Sequence, residues 1–171
     1  RAPDATLSGT AGSRFGAALV WIPDSDGDGL PELAGGAPDG GGGYGTVELF
    51  AGATVATVRT LTGTELGAEF GAALATGDFD ADGLGDLAVG APSAAGGGTG
   101  RGESFAWLAS DGWSAPAWSA TGTGDGDAFG TALAAGDFDA DGLDDLAVGA
   151  PTADGTWSDT GLVYGFAGTA S

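Results

Sequence analysis

Residues 70–92 read FGAALATGDFDADGLGDLAVGAP, and the same order of features returns twice elsewhere in the chain. Residues 129–151 repeat it almost letter for letter, and residues 15–38 repeat it with one extra residue before the acidic part. Each copy opens on Phe-Gly, passes through acidic residues at alternate positions and closes on Gly-Ala-Pro. Self-similarity of this kind is typical of repeat architectures, so the chain is predicted to contain three similar units.

Each unit has the pattern of four short strands separated by turns. Glycine supplies 37 of the 171 residues and charged residues only 16%, which favours short strands over helices because glycine weakens helix interiors. The runs Gly40–Gly43 and Gly96–Gly98 fall between the second and third strands, where loops are expected. In the second unit the strands are predicted at Gly71–Thr76, Asp86–Gly90, Gly102–Leu108 and Ala117–Thr121.

The charge of the chain favours cations as partners. It has 24 acidic residues against four arginines, and its net charge is −20. Nucleic acid is therefore not expected as a partner, since its binding requires a basic patch. The chain also lacks an unbroken apolar run of about 20 residues, so no membrane insertion is expected.

Several classes of reactive side chain are missing from the sequence. Cysteine, histidine, methionine and lysine are absent, which excludes disulfides, thiolate or imidazole metal sites and most pairs of nucleophile and base. A glycosidase would need two opposed carboxylates. Outside the acidic loops Asp125 and Asp127 lie close together, but a polar turn explains them. The chain is predicted not to be an enzyme.

The acidic part of each unit follows one spacing, with carboxylates at positions 1, 3, 5 and 9, glycine at position 6 and leucine at position 7. Alternate carboxylates converge on one point only if the chain curls around it, and glycine permits the sharp turn. The backbone carbonyl at position 7 then points inward and the acid at position 9 closes the shell. The predicted metal ligands are Asp24, Asp26, Asp28, Leu30 and Glu32 in the first unit, Asp78, Asp80, Asp82, Leu84 and Asp86 in the second, and Asp137, Asp139, Asp141, Leu143 and Asp145 in the third.

The predicted metal is calcium, with three Ca²⁺ ions in the chain. A flexible cage of oxygen ligands suits Ca²⁺, whereas Mg²⁺ prefers a tighter octahedron and retains waters. An EF-hand would need flanking helices and a glutamate at position 12, where the chain has Gly35, Val89 and Val148, so that alternative fails. Merely solvated acidic turns are the remaining alternative, but the register is the same in all three units.

These motifs resemble the FG-GAP repeat of integrin α-subunit propellers and of many bacterial surface proteins. The resemblance covers nearly the whole chain and rests on Phe-Gly, on Asp-x-Asp-x-Asp-Gly-x-x-Asp and on Gly-Ala-Pro. It implies an all-β fold of three propeller blades, each a sheet of four antiparallel strands. The family commonly has seven blades, and observed propellers have about four to eight. Three blades are therefore not expected to close a ring from one chain alone.

The ends of the chain are predicted to be out of phase with the blades. Thr6–Thr10 precedes the first Phe-Gly as Thr60–Thr64 precedes the second, so it reads as the last strand of a neighbouring blade. We expect head-to-tail self-association, as a closed ring of two copies or a filament, or else a place within a longer propeller. The predicted divisions are 1–14 for that strand, 15–69 for blade 1, 70–128 for blade 2, and 129–171 for blade 3 without its fourth strand.

The function predicted from these features is that of a calcium-binding structural or adhesive module, secreted or at the cell surface. Open loops of this type bind calcium at about 10⁻⁴ to 10⁻³ M, which fills them outside cells. One alternative is a glycan-binding module that uses exposed tryptophans, and another is an accessory domain of a polysaccharide-degrading enzyme. Trp107 is expected in the core. For Trp113 and Trp157 packing and sugar stacking remain equally open.

Overall fold

The computed structural model describes residues 5–155, 158 and 160–170, which form short strands and one helical turn. The turn, α1, covers Gly40–Gly43, where Gly41 and Gly42 have left-handed φ angles of 60° and 76°. None of the described helices is long and apolar enough to cross a membrane. The strands are β1 Ala18–Ile22, β2 Glu32–Ala37, β3 Thr46–Phe50, β4 Thr57–Thr62, β5 Ala73–Gly77, β6 Asp86–Ala91, β7 Glu103–Trp107, β8 Trp118–Thr121, β9 Ala132–Gly136, β10 Asp145–Ala150 and β11 Leu162–Phe166.

The strands form three antiparallel sheets, which we call blade 1 (β1–β4), blade 2 (β5–β8) and blade 3 (β9–β11). Blades 1 and 2 have four strands each in sequential order, and blade 3 has three within the described residues. The prediction of an all-β fold of antiparallel propeller blades is confirmed. In blade 2 the observed strands lie within about two residues of the predicted ones, because turn residues bound each strand.

The N-terminal stretch Thr6–Thr10 has no regular secondary structure in the described chain. Its assignment to a neighbouring blade, and the division at residue 14, stay predictions.

The core consists of two layers of side chains, one between each pair of neighbouring blades. Successive residues of a strand point to opposite faces of its sheet. In blade 2, Leu87 and Val89 pack towards blade 1, whereas Ala88 and Ala75 pack towards blade 3. The two faces of blade 2 thus differ, since the face towards blade 1 carries large side chains such as Leu87 and the face towards blade 3 carries small ones such as Ala88. The first layer includes Ile22, Ala34, Val47, Leu49, Leu61, Phe70, Leu87, Val89, Trp107 and Trp113.

The glycine of each Phe-Gly motif joins its blade to the one before. Gly71 has a left-handed φ of 89°, and its N–H donates to the carbonyl of Gly90 in its own blade at 3.0 Å. Its carbonyl oxygen lies against the preceding blade, 2.0 Å from where a Cβ on Gly36 would stand. Gly130 repeats this arrangement, since its carbonyl oxygen lies 2.1 Å from a Cβ built on Gly90. The glycines of Phe-Gly and Gly-Ala-Pro therefore permit backbone contact between blades.

We predict that Gly90→Ala lowers the free energy of unfolding by about 1–3 kcal/mol, because the new methyl group would overlap the Gly130 carbonyl. Gly149→Ala is the matched control, because it changes the corresponding residue of blade 3, where the nearest atom to the added Cβ is 3.4 Å away. Urea denaturation of both variants measures the difference. Equal effects of the two substitutions would contradict this account of the motif.

Candidate metal centres

Each acidic loop joins the first two strands of its blade and curls around its own carboxylates. In the second loop Asp78 accepts hydrogen bonds from the N–H groups of Asp82 at 3.1 Å and Gly83 at 3.0 Å. Asp82 accepts one from the N–H of Leu84 at 2.7 Å. The third loop repeats all three bonds, and the first loop repeats the two made by the glycine and leucine N–H groups. The curled chain predicted from the spacing is therefore present in every unit.

Three carboxylates of each loop meet at one point. In each group the possible ligand atoms lie within 4.8 Å of one another. The fourth predicted acid of each loop, which is Glu32, Asp82 or Asp141, lies outside its group. For the three leucines the recorded bonds involve the N–H groups, so ligation by their carbonyls stays a prediction. The groups are Asp24, Asp26 and Asp28; Asp78, Asp80 and Asp86; and Asp137, Asp139 and Asp145.

The acid at position 9 anchors the loop to the rest of its blade. Asp86 is fully buried, and it accepts hydrogen bonds from the N–H groups of Phe79 and Ala109, each at 2.9 Å. Burial raises the pKa of Asp86 to about 6, although the two N–H donors oppose the shift. In the third loop the N–H groups of Gly168 and Phe138 instead lower the pKa of Asp145. The same position is thus electrostatically more costly to ionise in the second loop.

In the first loop Glu32 takes the anchoring position with a longer side chain. Its exposed fraction is 1%, and its Oε2 accepts hydrogen bonds from the N–H and the hydroxyl of Ser25, both at 2.7 Å. Its Oε1 and the Oδ1 of Asp24 are buried and have no hydrogen-bond partner among the described residues. Unpaired buried carboxylate oxygens are costly. Both oxygens therefore fit a bound cation, and Ser25 is a residue that the sequence pattern did not identify.

The second and third loops are connected across the blade boundary by Asp144. Its carboxylate accepts a hydrogen bond from the N–H of Asp78 at 2.9 Å, and its own N–H donates to the carbonyl of Asp78 at 3.0 Å. The corresponding residue of the second loop is Gly85, which packs closely on Pro23. Asp144 was not predicted to have a role, although it is an extra acid at a position where the other loops have none.

Three of the described tryptophans, Trp107, Trp113 and Trp118, pack against other residues. Trp107 lies in the core, as predicted, with an exposed fraction of 6%. Trp113 is 9% exposed and its carbonyl accepts a hydrogen bond from Arg59 at 2.9 Å, which favours packing over sugar stacking. Trp118 packs edge-on against Phe166 with ring centroids 4.6 Å apart. Trp157 lies outside the described residues.

Comparison with known proteins agrees with the repeats and with the blades. The FG-GAP repeat family matches residues 70–105 and 129–166. Integrin alpha-PS2 of Drosophila melanogaster is 36% identical over 156 residues, which is 85% of this chain and 11% of that protein. Integrin alpha-V of Gallus gallus is 32% identical over 160 residues, or 89% of this chain and 15% of that protein. The chain contains FG-GAP repeats.

A third relative, integrin alpha-5 of Xenopus laevis, is 30% identical over 77% of this chain and 13% of its own length. The chain therefore spans only a small part of these relatives. The family match does not include the first of the three similar units, residues 15–50. That repeat departs from the others through Pro31 and Glu32, yet it folds into the same strand order.

We predict that Asp144→Ala weakens calcium binding in the second loop by about tenfold, because the N–H of Asp78 loses the acceptor that holds it in place. NMR titration can follow each loop through the amide of its position-6 glycine, which is Gly29, Gly83 or Gly142. The midpoint at Gly83 is expected to rise while the midpoint at Gly29 stays unchanged. A uniform change in all three loops would contradict a specific link.

Calcium binding in the second loop is predicted to weaken below about pH 6, because a proton on Asp86 competes with the cation. The folded-state pKa lies above the ordinary value of 3.8. In the cation-free protein the stability contributed by this group is therefore full below about pH 3.8 and is lost as the pH rises through 6. Between pH 7 and pH 5 the calcium concentration at the titration midpoint should rise about tenfold for Gly83 and stay nearly unchanged for Gly142. The reverse order would refute the assignment.

Proposed function

We propose that the chain is a calcium-stabilised structural and adhesive module of a secreted or cell-surface protein, with no catalytic role of its own. The observation that carries the proposal is the gathering of three carboxylates in each loop, together with the orphaned buried oxygens of Glu32 and Asp24. Such groups repel one another and lose hydration unless a cation lies among them. The loops therefore act as sites whose occupation stabilises the blades.

Calcium fits these loops better than other cations. The chain has no histidine or cysteine, so only oxygen ligands are available. Three or four carboxylates with a backbone carbonyl make a flexible shell of the kind Ca²⁺ occupies, whereas Mg²⁺ requires near-ideal octahedral geometry. We propose one ion in each loop, held by the acids at positions 1, 3, 5 and 9 and the leucine carbonyl at position 7.

The proposed location follows from the affinity expected of such loops. Calcium sites of extracellular modules bind at about 10⁻⁴ to 10⁻³ M. They would be filled outside cells and largely empty in the cytosol. The three relatives are named as integrin alpha chains, which supports an adhesive role for the module.

The outer faces of blades 1 and 3 support a role in assembly. On blade 1, Leu19 and Trp21 are 60% and 61% exposed, and Phe15 packs edge-on against Phe50 beside them. The opposite outer face, on blade 3, carries small side chains and Val163, which is 77% exposed. Between blades 1 and 2 the equivalents of Phe15 and Leu19, which are Phe70 and Leu74, are covered. A further blade is proposed to cover each outer face, from a second copy joined head to tail or from a longer propeller.

The glycan-binding alternative has little support. Trp107 and Trp113 are buried, and exposed Trp21 lies on the face proposed for assembly. No described feature favours a role as an accessory domain of a polysaccharide-degrading enzyme.

Removal of calcium is predicted to lower the melting temperature of the chain. At about twentyfold excess of calcium over the dissociation constant, each filled site contributes about 2 kcal/mol. Asp80→Asn should reduce this stabilisation by the contribution of one site, which is about 2 kcal/mol. Asp111→Asn is the matched control, since Asp111 is an exposed acid outside the loops that accepts a hydrogen bond from Ser114. Melting curves with calcium and with chelator measure the effect. If the two curves of the unmodified chain coincide, the proposal is wrong.

Self-association is predicted to depend on the outer face of blade 1. Trp21→Asp should weaken association by tenfold or more, on the order expected for a buried aromatic anchor, and deletion of residues 1–12 should abolish it. Leu66→Asp is the control, because Leu66 is 65% exposed and lies in the loop between β4 and β5. Sedimentation analysis gives the association constants. A chain that is monomeric at every concentration would rule out assembly between copies and leave the longer propeller.

A further inference from the structure

A cavity of about 280 Å³ lies between blades 2 and 3. Its apolar wall includes Ala106, Trp118, Leu146 and Phe166, and the carboxylates of Asp80 and Asp144 line it as well. Cavities that bind small ligands or side chains begin at about this size. We call this cavity the blade 2–3 pocket.

At the same place between blades 1 and 2, Trp113 packs into a buried cluster, beside a cavity of about 230 Å³ that it lines together with Arg59 and Trp107. Strand registers align the blades, since Ala34 pairs with Leu49 as Ala88 pairs with Ala106. Leu87 likewise pairs with Trp107 as Leu146 pairs with Phe166. The equivalents of Ala106, Leu146 and Phe166 are thus Leu49, Leu87 and Trp107, which form one buried cluster with Trp113.

Trp113 is also held by its backbone. Its φ is 62°, a left-handed value that is rare for a residue with a side chain, and the carbonyl of Trp113 accepts the hydrogen bond from Arg59. Arg59 pairs with Leu49 as Trp118 pairs with Ala106. The loop before β8 is therefore shaped to insert an indole between two blades.

The blade 2–3 pocket lacks such an insert within the described residues and lies beside an open strand edge. In blade 2, Trp118 of β8 pairs with Ala106 of β7, and the inserted Trp113 lies five residues before Trp118. The equivalent of Ala106 in β11 is Gly165, which pairs with Ala147. No described strand pairs with the other edge of β11, so its free N–H and C=O groups can accept a further strand.

We propose that the blade 2–3 pocket receives an aromatic side chain from an extended segment that adds to β11 as a fourth strand. The aromatic residue stands about five positions before the residue that pairs with Gly165. The proposal rests on the proposed assembly role and specifies the chemistry of the partner: a strand-forming segment of neutral or positive charge, since Asp144 lines the pocket and the chain carries a net charge of −20.

The need for an aromatic side chain distinguishes this partner segment from the N-terminal strand of a second copy. Residues 1–12 contain no aromatic residue, so that strand could pair with β11 but would leave the pocket unfilled. The segment that fits both features is of the kind found at residues 112–123 of this chain, GWSAPAWSATGT. In the folded chain that segment is already engaged within blade 2.

A peptide with the sequence of residues 112–123, blocked at both ends and labelled with a fluorophore, is the probe. Titration with the whole chain in millimolar calcium, read by fluorescence anisotropy, is expected to give saturable binding. The peptide with Trp113→Ala is expected to bind at least about tenfold more weakly, since a buried aromatic anchor dominates binding at such interfaces. An unlabelled peptide of residues 1–12 should compete for the strand edge without matching the affinity of the tryptophan peptide.

A variant of the chain provides the second arm. Ala106→Phe fills the pocket with a side chain larger than the leucine that packs with Trp113 at the equivalent position 49, and it is expected to weaken binding of the tryptophan peptide by about tenfold or more. A calcium-dependent melting curve like that of the unmodified chain shows that the variant folds. Equal affinity of the two peptides for the unmodified chain would overturn the proposal and leave strand addition alone. Absence of binding by the tryptophan peptide would overturn both, whereas the calcium role is tested separately by the melting curves with chelator.

Discussion

The structure depends on the crowding of carboxylates at the end of each blade. Each loop brings several acids within a few ångströms of one another, and its backbone N–H groups satisfy only some of their oxygens. The acid at position 9 joins this cluster to the blade. In blade 2, Asp86 begins β6, contacts the loop at Phe79 and reaches the residues after β7 at Ala109. A cation at this point would therefore hold three strands together, not only one loop.

The second constraint is close contact between blades, which the small residues of the motifs allow. The Phe-Gly glycine contacts its own blade through its N–H and the preceding blade through its carbonyl. Each phenylalanine covers the aromatic residues of its own third strand, as Phe70 covers Phe105 and Trp107. Aromatic edge-to-face contacts and backbone contacts thus occur at the same boundary. Within the described residues, the outer faces of blades 1 and 3 present the corresponding surfaces exposed, with Leu19, Trp21 and Val163 on them.

Most of the fold could be predicted from the sequence, because the information lies within each repeat. The strands follow from residues that alternate between two faces, and the curled loops follow from aspartates at alternate positions with a glycine. Contacts between repeats could not be predicted in this way. The link from Asp144 to Asp78, the insertion of Trp113 and the exclusion of Glu32 from its carboxylate group each depend on how two segments meet in space. Asp144 differs from Gly85 at the same repeat position, but the pattern does not indicate that its partner lies in another blade.

We propose that each loop holds a cation, so the decisive quantity is the number of ions that the intact chain binds. The measurement is equilibrium dialysis against millimolar calcium followed by metal analysis of the protein. We expect three calcium ions per chain, one for each group of carboxylates. Fewer than two bound ions would contradict it.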